Sequence, residues 1–218
     1  MTKHAKASAT KAEVIREYGP FPDAANVAGV SFDGSSAWFA AGTHLQAFDP
    51  TSGEPGRRLP VAADAGTAFD GKHFFQLTGE VIQKIDAKTG AVVSTIPAPG
   101  KGRDSGMAWA EGMLWVGQYR DRKINCVDPN TGEILRSIES DRFVTGVSFV
   151  DGELWHGTWE GNQSELRRVE PQTGEVLERL TMPEDTMISG LESDGRDTFF
   201  CGGGMSGKVR AVRRPARK

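Results

Sequence analysis

Cysteine is almost missing from this chain of 218 residues; its two, Cys126 and Cys201, lie far apart and no Cys-x-x-Cys is present. That excludes a disulfide framework or a cysteine-based zinc site, and it predicts two reduced, buried thiols in a cytoplasmic protein. No apolar run approaches the ~18 residues of a membrane helix, so no membrane partner is expected. The first eleven residues are polar and basic, without the apolar stretch of a secretory leader. Positive charge is not in excess either, because the net charge is −3. Charge-driven binding of nucleic acid is therefore not expected. Segments with helical spacing of apolar residues are also lacking.

Glycine, by contrast, is abundant: 27 of 218 residues, well above the average of roughly 7%. Many tight turns in an all-β chain would explain it. The glycines recur in a repeat. Gly29–Gly34, Gly66–Gly71, Gly106–Gly112, Gly146–Gly152 and Gly190–Gly195 are similar, with their first glycines 37, 40, 40 and 44 residues apart. Nine residues after each first glycine stands an aromatic: Trp38, Phe75, Trp115, Trp155 and Phe199. Next comes an apolar-x-x-apolar-acid stretch, ending at Asp49, Asp86, Asp128 and Glu170 in the first four repeats. A turn to Gly53, Gly90, Gly132 and Gly174 follows. Proline presets the first turn position in three of these turns, and glycine supplies a left-handed residue.

Each repeat is thus four short strands, and units of roughly 40–45 residues with four strands are propeller blades. The fold class expected is all-β: a five-bladed β-propeller with four antiparallel strands per blade. Blade five runs out of chain before its outer strand. Residues 12–18 resemble 174–180, which predicts that this N-terminal strand completes the last blade and hides an open edge. The domain then spans residues 12–215, between flexible tails at 1–11 and 216–218.

The turns between the first and second strands, and between the third and fourth, are uniformly compact, so that face reads as scaffold. The opposite face is uneven. From the second-strand aromatic to the acid takes 11 residues in blades one and two, 13 in blade three and 15 in blade four. Function concentrates in irregular loops on a regular scaffold, so the site is expected at the channel mouth near blades three and four. Candidate ligand-binding residues there are Gln118, Tyr119, Arg120 and Trp159, with the aromatic pair clamping a small polar or cationic molecule. Arg103, Asp104 and Arg142 lie near inner-strand starts, where the arginines could meet a carboxylate or phosphate. His156, with Glu160 nearby, is the candidate general base.

No metal or other cofactor is expected, because the histidines share no ring position and the recurring acids sit in turns. Gly202–Lys208 fits G-x-x-x-x-G-K but lacks the following Ser/Thr and helix of a phosphate loop. It reads as a flexible hairpin that could act as a lid. Three functions compete: an enzyme on a small molecule, a non-catalytic ligand-binding module, and a protein-interaction scaffold. Oligomeric state is not legible.

Two stretches, Gly112–Gly132 and Gly152–Gly174, resemble the blades of the five-bladed glutamine cyclotransferases (glutaminyl cyclases), and more loosely other, larger propellers. The resemblance implies a propeller that binds, and in an enzyme transforms, a small polar ligand at the channel mouth. It does not carry the family's catalytic residues. The family's glutamate lies in a Glu-Ser-Thr-Gly stretch, whereas Phe39–Gly42 here has no acid. The family's asparagine falls on Gly117 or Gly157, while its aromatic is matched by Tyr119 or Trp159.

Overall fold

A computed structural model describes residues 7–216. Their regular structure is 21 strands, without an α-helix among the described residues. β1 (Ala9–Lys11) and β2 (Val14–Tyr18) open the chain. Blade one is β3 (Val30–Phe32), β4 (Ala37–Ala40), β5 (Leu45–Phe48) and β6 (Pro55–Leu59). Blade two is β7 (Thr67–Phe69), β8 (His73–Thr78), β9 (Val81–Asp86) and β10 (Val92–Pro97). Blade three is β11 (Asp104–Ala110), β12 (Met113–Gln118), β13 (Lys123–Val127) and β14 (Ile134–Glu139). Blade four is β15 (Val144–Val150), β16 (Glu153–Thr158), β17 (Glu165–Val169) and β18 (Val176–Thr181). Blade five begins with β19 (Gly190–Ser193), β20 (Thr198–Gly202) and β21 (Val209–Arg213).

β2 pairs antiparallel with β21, from Val14 opposite Val212 to Tyr18 opposite Val209. The N-terminal strand thus completes blade five, as the sequence predicts, and the beginning of the propeller is tied to its end. The expected N-terminal tail differs in part. Ala9–Lys11 pair in parallel with Arg179–Thr181 and give blade four a fifth strand. Of the rest of the expected tails, residues 1–6 and 217–218 lie outside the described residues, and 7, 8 and 216 lie within them. The Gly202–Lys208 hairpin is held down rather than loose. Val27 N–H donates to Gly204 O (3.0 Å) and Phe21 N–H to Gly207 O (2.9 Å).

Turn chemistry explains the repeated acids. Asp49 accepts the Thr51 N–H (2.6 Å), Asp86 that of Thr89 (2.8 Å), Asp128 that of Asn130 (2.7 Å), and Glu170 that of Gln172 (2.6 Å). These N–H donors hold the Asp49 and Asp86 carboxyls below the ordinary carboxylate range. Gly53, Gly90, Gly132 and Gly174 close the turns at φ of 87°, 76°, 78° and 76°, a region that side chains disfavour.

The core is five clusters, one at each seam between blades. The signature aromatics are its glue. Trp38 meets Phe74 (4.8 Å), Phe75 stacks on Trp109 (5.2 Å), Trp115 stacks on Phe149 (5.8 Å) and Trp155 meets Phe199 (5.0 Å). The fifth seam packs Tyr18, Phe21, Phe39, Phe48 and Phe200. Both sides of each blade face a neighbour, so five successive residues are buried in each of β12 and β16 and period-two alternation is lost.

The first glycine of each repeat meets its counterpart in the next blade. A Cβ on Gly29 would lie 2.8 Å from Gly66 Cα, and one on Gly66 2.7 Å from Gly106 C. One on Gly106 would lie 2.6 Å from Gly146 Cα, and one on Gly146 2.5 Å from Gly190 C. One on Gly190 would lie 2.9 Å from Gly29 Cα, which closes the ring. None of the five has the positive φ that would itself call for glycine. They are glycine because backbone touches backbone at the axis. Since β-carbons cannot fit without moving a strand, Gly106→Ala should cost about 3 kcal/mol or more. That predicts a melting temperature lower by at least about 6 °C. A variant melting within 1 °C of wild type, followed by circular dichroism, would contradict this closure.

Candidate functional site

The residue before each axial glycine forms a second ring: Ala28, Ala65, Ser105, Thr145 and Ser189. It is the floor of a cup of about 270 Å³ on the uneven face. Tyr119 and Trp159 rise from the longer loops of blades three and four, and Asp64 and Asp104 stand at the inner-strand starts of blades two and three. Asn26, Met187 and Ile188 complete the wall. The strand registers of β11 and β15 shift between Asp104 and Met107 and between Val144 and Val147. Such bulges re-aim side chains beside functional sites, and here they fall on the residues that supply Asp104, Ser105 and Thr145.

Asp104 is half-buried. Both its oxygens accept the Gly100 N–H at 2.9 Å, and Gln118 Nε2 donates to Oδ1 at 3.4 Å. Loss of water raises its pKa above the ordinary carboxylate value, against the pull of these donors. Tyr119 packs on Phe143 (4.7 Å) and its hydroxyl donates to Trp159 O (3.3 Å), which joins the two aromatic loops. Ser105 Oγ donates to Val144 O (2.8 Å), and Ser189 Oγ donates to Val27 O. Thr145 Oγ1 has no hydrogen-bond partner among the described residues and lies where a Cβ on Gly157 would be only 2.7 Å away.

Of the residues expected from the sequence, Asp104, Tyr119 and Trp159 converge on the cup, and Gln118 supports Asp104 from behind. Arg103 pairs with Asp121 (3.3 Å), and Arg120 is exposed; neither lines the cup. Arg142 turns to Glu160 (3.2 Å), which also holds Arg122 (2.8 Å). These pairs belong to a larger cluster in blade four. There Glu165 is buried beneath Arg167 (2.8 Å), Arg179 and, at 3.9 Å, Arg142. Glu160 is thus an anchor for two loops.

His156 is 1% exposed, and its Nδ1–H donates to Gly157 O (3.2 Å). Leu154, on the same side of β16, packs against blade three. Burial above all, reinforced by Arg167, lowers the His156 pKa to about 4. His156 does not line the cup, and the structure does not bring it together with Glu160. The floor ring and Asp64 escape a reading that starts each repeat at its glycine. The residue immediately preceding that glycine was the available signal.

The site and the fold together define a five-bladed β-propeller with an axial cup of ligand size. A family model described as "Domain of unknown function (DUF5074)" matches residues 61–195, more than half of the chain, and the chain belongs to that family. No curated protein matches it. Among solved structures it is similar to a Myxococcus xanthus glutaminyl cyclase, with a TM-score of 0.76 at 18% identity over 95% of this chain and 98% of that one. It is also similar to the WD40 β-propeller domain of Doa1, with a TM-score of 0.56 at 16% identity over 87% of this chain and 64% of that one. At these identities the likeness is one of fold.

A second ionisable group, half-buried, lies beyond the glycine ring. Glu192 follows Gly190 by two residues and so shares its side of β19. Ser148 Oγ (2.9 Å) and Ser193 N–H (2.8 Å) both donate to its Oε1. Burial raises its pKa to about 7, against these two donors. As pH rises from 4.5 to 7, the unfolded chain releases this proton first, so Glu192 lowers stability with rising pH. His156 acts the other way. From pH 6.5 down to 4 the unfolded chain takes up a proton that the native one refuses. Each contributes about 2 kcal/mol between pH 5 and 7, with opposite sign. Glu192→Gln should therefore lose about 2 kcal/mol relative to wild type as pH falls from 7 to 5. Urea unfolding at both pH values measures this, and parallel profiles for variant and wild type would refute it.

Proposed function

We propose that the protein binds a small polar ligand in the axial cup. The convergence of Tyr119, Trp159 and the half-buried Asp104 carboxylate on one cavity carries this reading. A concave, mostly apolar cavity with a few fixed polar groups is what small ligands need. A protein-interaction platform would call for a flat or protruding face instead. The glutaminyl cyclase likeness supports the scaffold, and sharing a fold does not transfer a reaction. Phe39–Gly42 has no acid, and His156 and Glu160 are engaged elsewhere. Binding is therefore the function proposed, with Asp104, Tyr119 and Trp159 as its residues. The two free, buried thiols agree with the expected reducing, cytoplasmic setting.

A thermal-shift screen of small amines, alcohols, sugars and carboxylates tests the proposal, since ligands of the native state raise its melting temperature. Trp159→Ala should keep the wild-type circular dichroism spectrum and weaken any hit by about tenfold or more, the worth of a desolvated aromatic face. A hit whose affinity is unchanged in Trp159→Ala would place the site elsewhere and overturn the reading.

A further inference from the structure

The cup's polar groups differ in what they have left to offer. Ser105 and Ser189 have given their hydroxyl protons to Val144 O and Val27 O. What remains on both oxygens is accepting capacity. Ser189 Oγ already uses part of it on the Gly204 N–H (3.0 Å). Gln118 directs its amide donor at the Asp104 carboxylate. Among the described residues, the charged ones on the cup wall are Asp64 and Asp104.

Among the described residues no cation lines the cup, although several stand close to its lining residues in sequence. Arg103 is held by Asp121, and Arg122 and Arg142 by Glu160. Their own acids neutralise them away from the cavity. The cup therefore presents two carboxylates, two hydroxyl oxygens that accept, the Thr145 hydroxyl and the Asn26 amide as its neutral polar groups, and the rings of Tyr119 and Trp159. Aromatic faces attract cations, and more strongly where water is excluded. An anionic ligand would meet two carboxylates with no counter-charge, and that repulsion is strong in a partly desolvated site.

We propose that the ligand of the cup is a small organic ammonium ion, its N–H donors facing Asp104 and Asp64 and its body against Trp159 and Tyr119. This deepens the reading of the cup as a ligand site and rests on it. A neutral alcohol of the same shape loses the charge pairing, and a carboxylate is repelled.

The test is calorimetric titration of the full chain with three probes of one shape: benzylamine, benzyl alcohol and benzoate. Benzylamine should bind at least about tenfold more tightly than benzyl alcohol, and benzoate should not bind. Asp104→Asn should weaken benzylamine about tenfold and benzyl alcohol by clearly less, since only the amine loses a charge pair. Asp64→Asn, at an exposed position whose carboxylate makes no hydrogen bond or ion pair among the described residues, should act in the same direction and guards against a misfolded first variant. Trp159→Ala should weaken both neutral and charged probes. Benzoate or benzyl alcohol binding as tightly as benzylamine, with Trp159→Ala still abolishing it, would overturn the ammonium assignment and keep the site. Binding that ignores Trp159, Asp104 and Asp64, or no binding by any of the three, would overturn both.

Discussion

Five glycines in contact around one axis set the rest of this structure. Inner strands can approach this closely only if no β-carbon stands between them, and each glycine abuts the next within 3 Å of a missing Cβ. That contact fixes how far the blades lie from the axis. The distance in turn decides whether the aromatic of one blade reaches the ring of its neighbour, as Phe75 reaches Trp109. It also closes the axis just beneath the floor ring, so the mouth on the uneven face is a cup with a bottom. The same backbone constraint thus gives the seams their packing and the cavity its depth.

The longer loops of blades three and four bring both aromatics and charges to the mouth, and the structure separates the two. Tyr119 and Trp159 stay at the cavity, joined through the Tyr119 hydroxyl. The charges condense on Glu160 and Glu165, behind the wall. A buried carboxylate such as Glu165 is costly unless several donors surround it, and Arg167, Arg179 and Arg142 supply them. Glu165 is held below the ordinary carboxylate range even though burial opposes this, because the arginine bonds outweigh the loss of water. The arginines needed to balance Glu160 and Glu165 are thereby withdrawn from any anionic ligand.

The fold was legible because its signals are periodic. Glycine, aromatic and acid return at fixed offsets, and the likeness of residues 12–18 to 174–180 foretold the closing strand. β1 was not legible, since Ala9–Lys11 is a short polar segment ordered by its pairing with β18, which no sequence pattern announces. The site was half legible. Loop length pointed to Tyr119 and Trp159, and proximity to an inner-strand start pointed to Asp104. The fate of Glu160 and His156 was hidden, because spacing of four suggests nearness but does not reveal partners. Glu160 found Arg122 and Arg142 from blade three and the linker after it, while His156 stayed on a buried strand face.

Repetition explains why the cup can discriminate at all. The backbone is nearly fivefold, so the floor positions are equivalent and only their side chains differ. Blades one and two place Ala28 and Ala65 there, and blades three, four and five place Ser105, Thr145 and Ser189. The floor is apolar on one side and hydroxylated on the other. The acids come from blades two and three and the aromatics from blades three and four, so the polar and stacking elements overlap at blade three. A ligand that is charged at one end and flat at the other satisfies both sets in a single orientation. A symmetric ring of side chains would bind it in five orientations, with no preference among them. The departures from the repeat, small in number, are what turn a structural axis into a directional site.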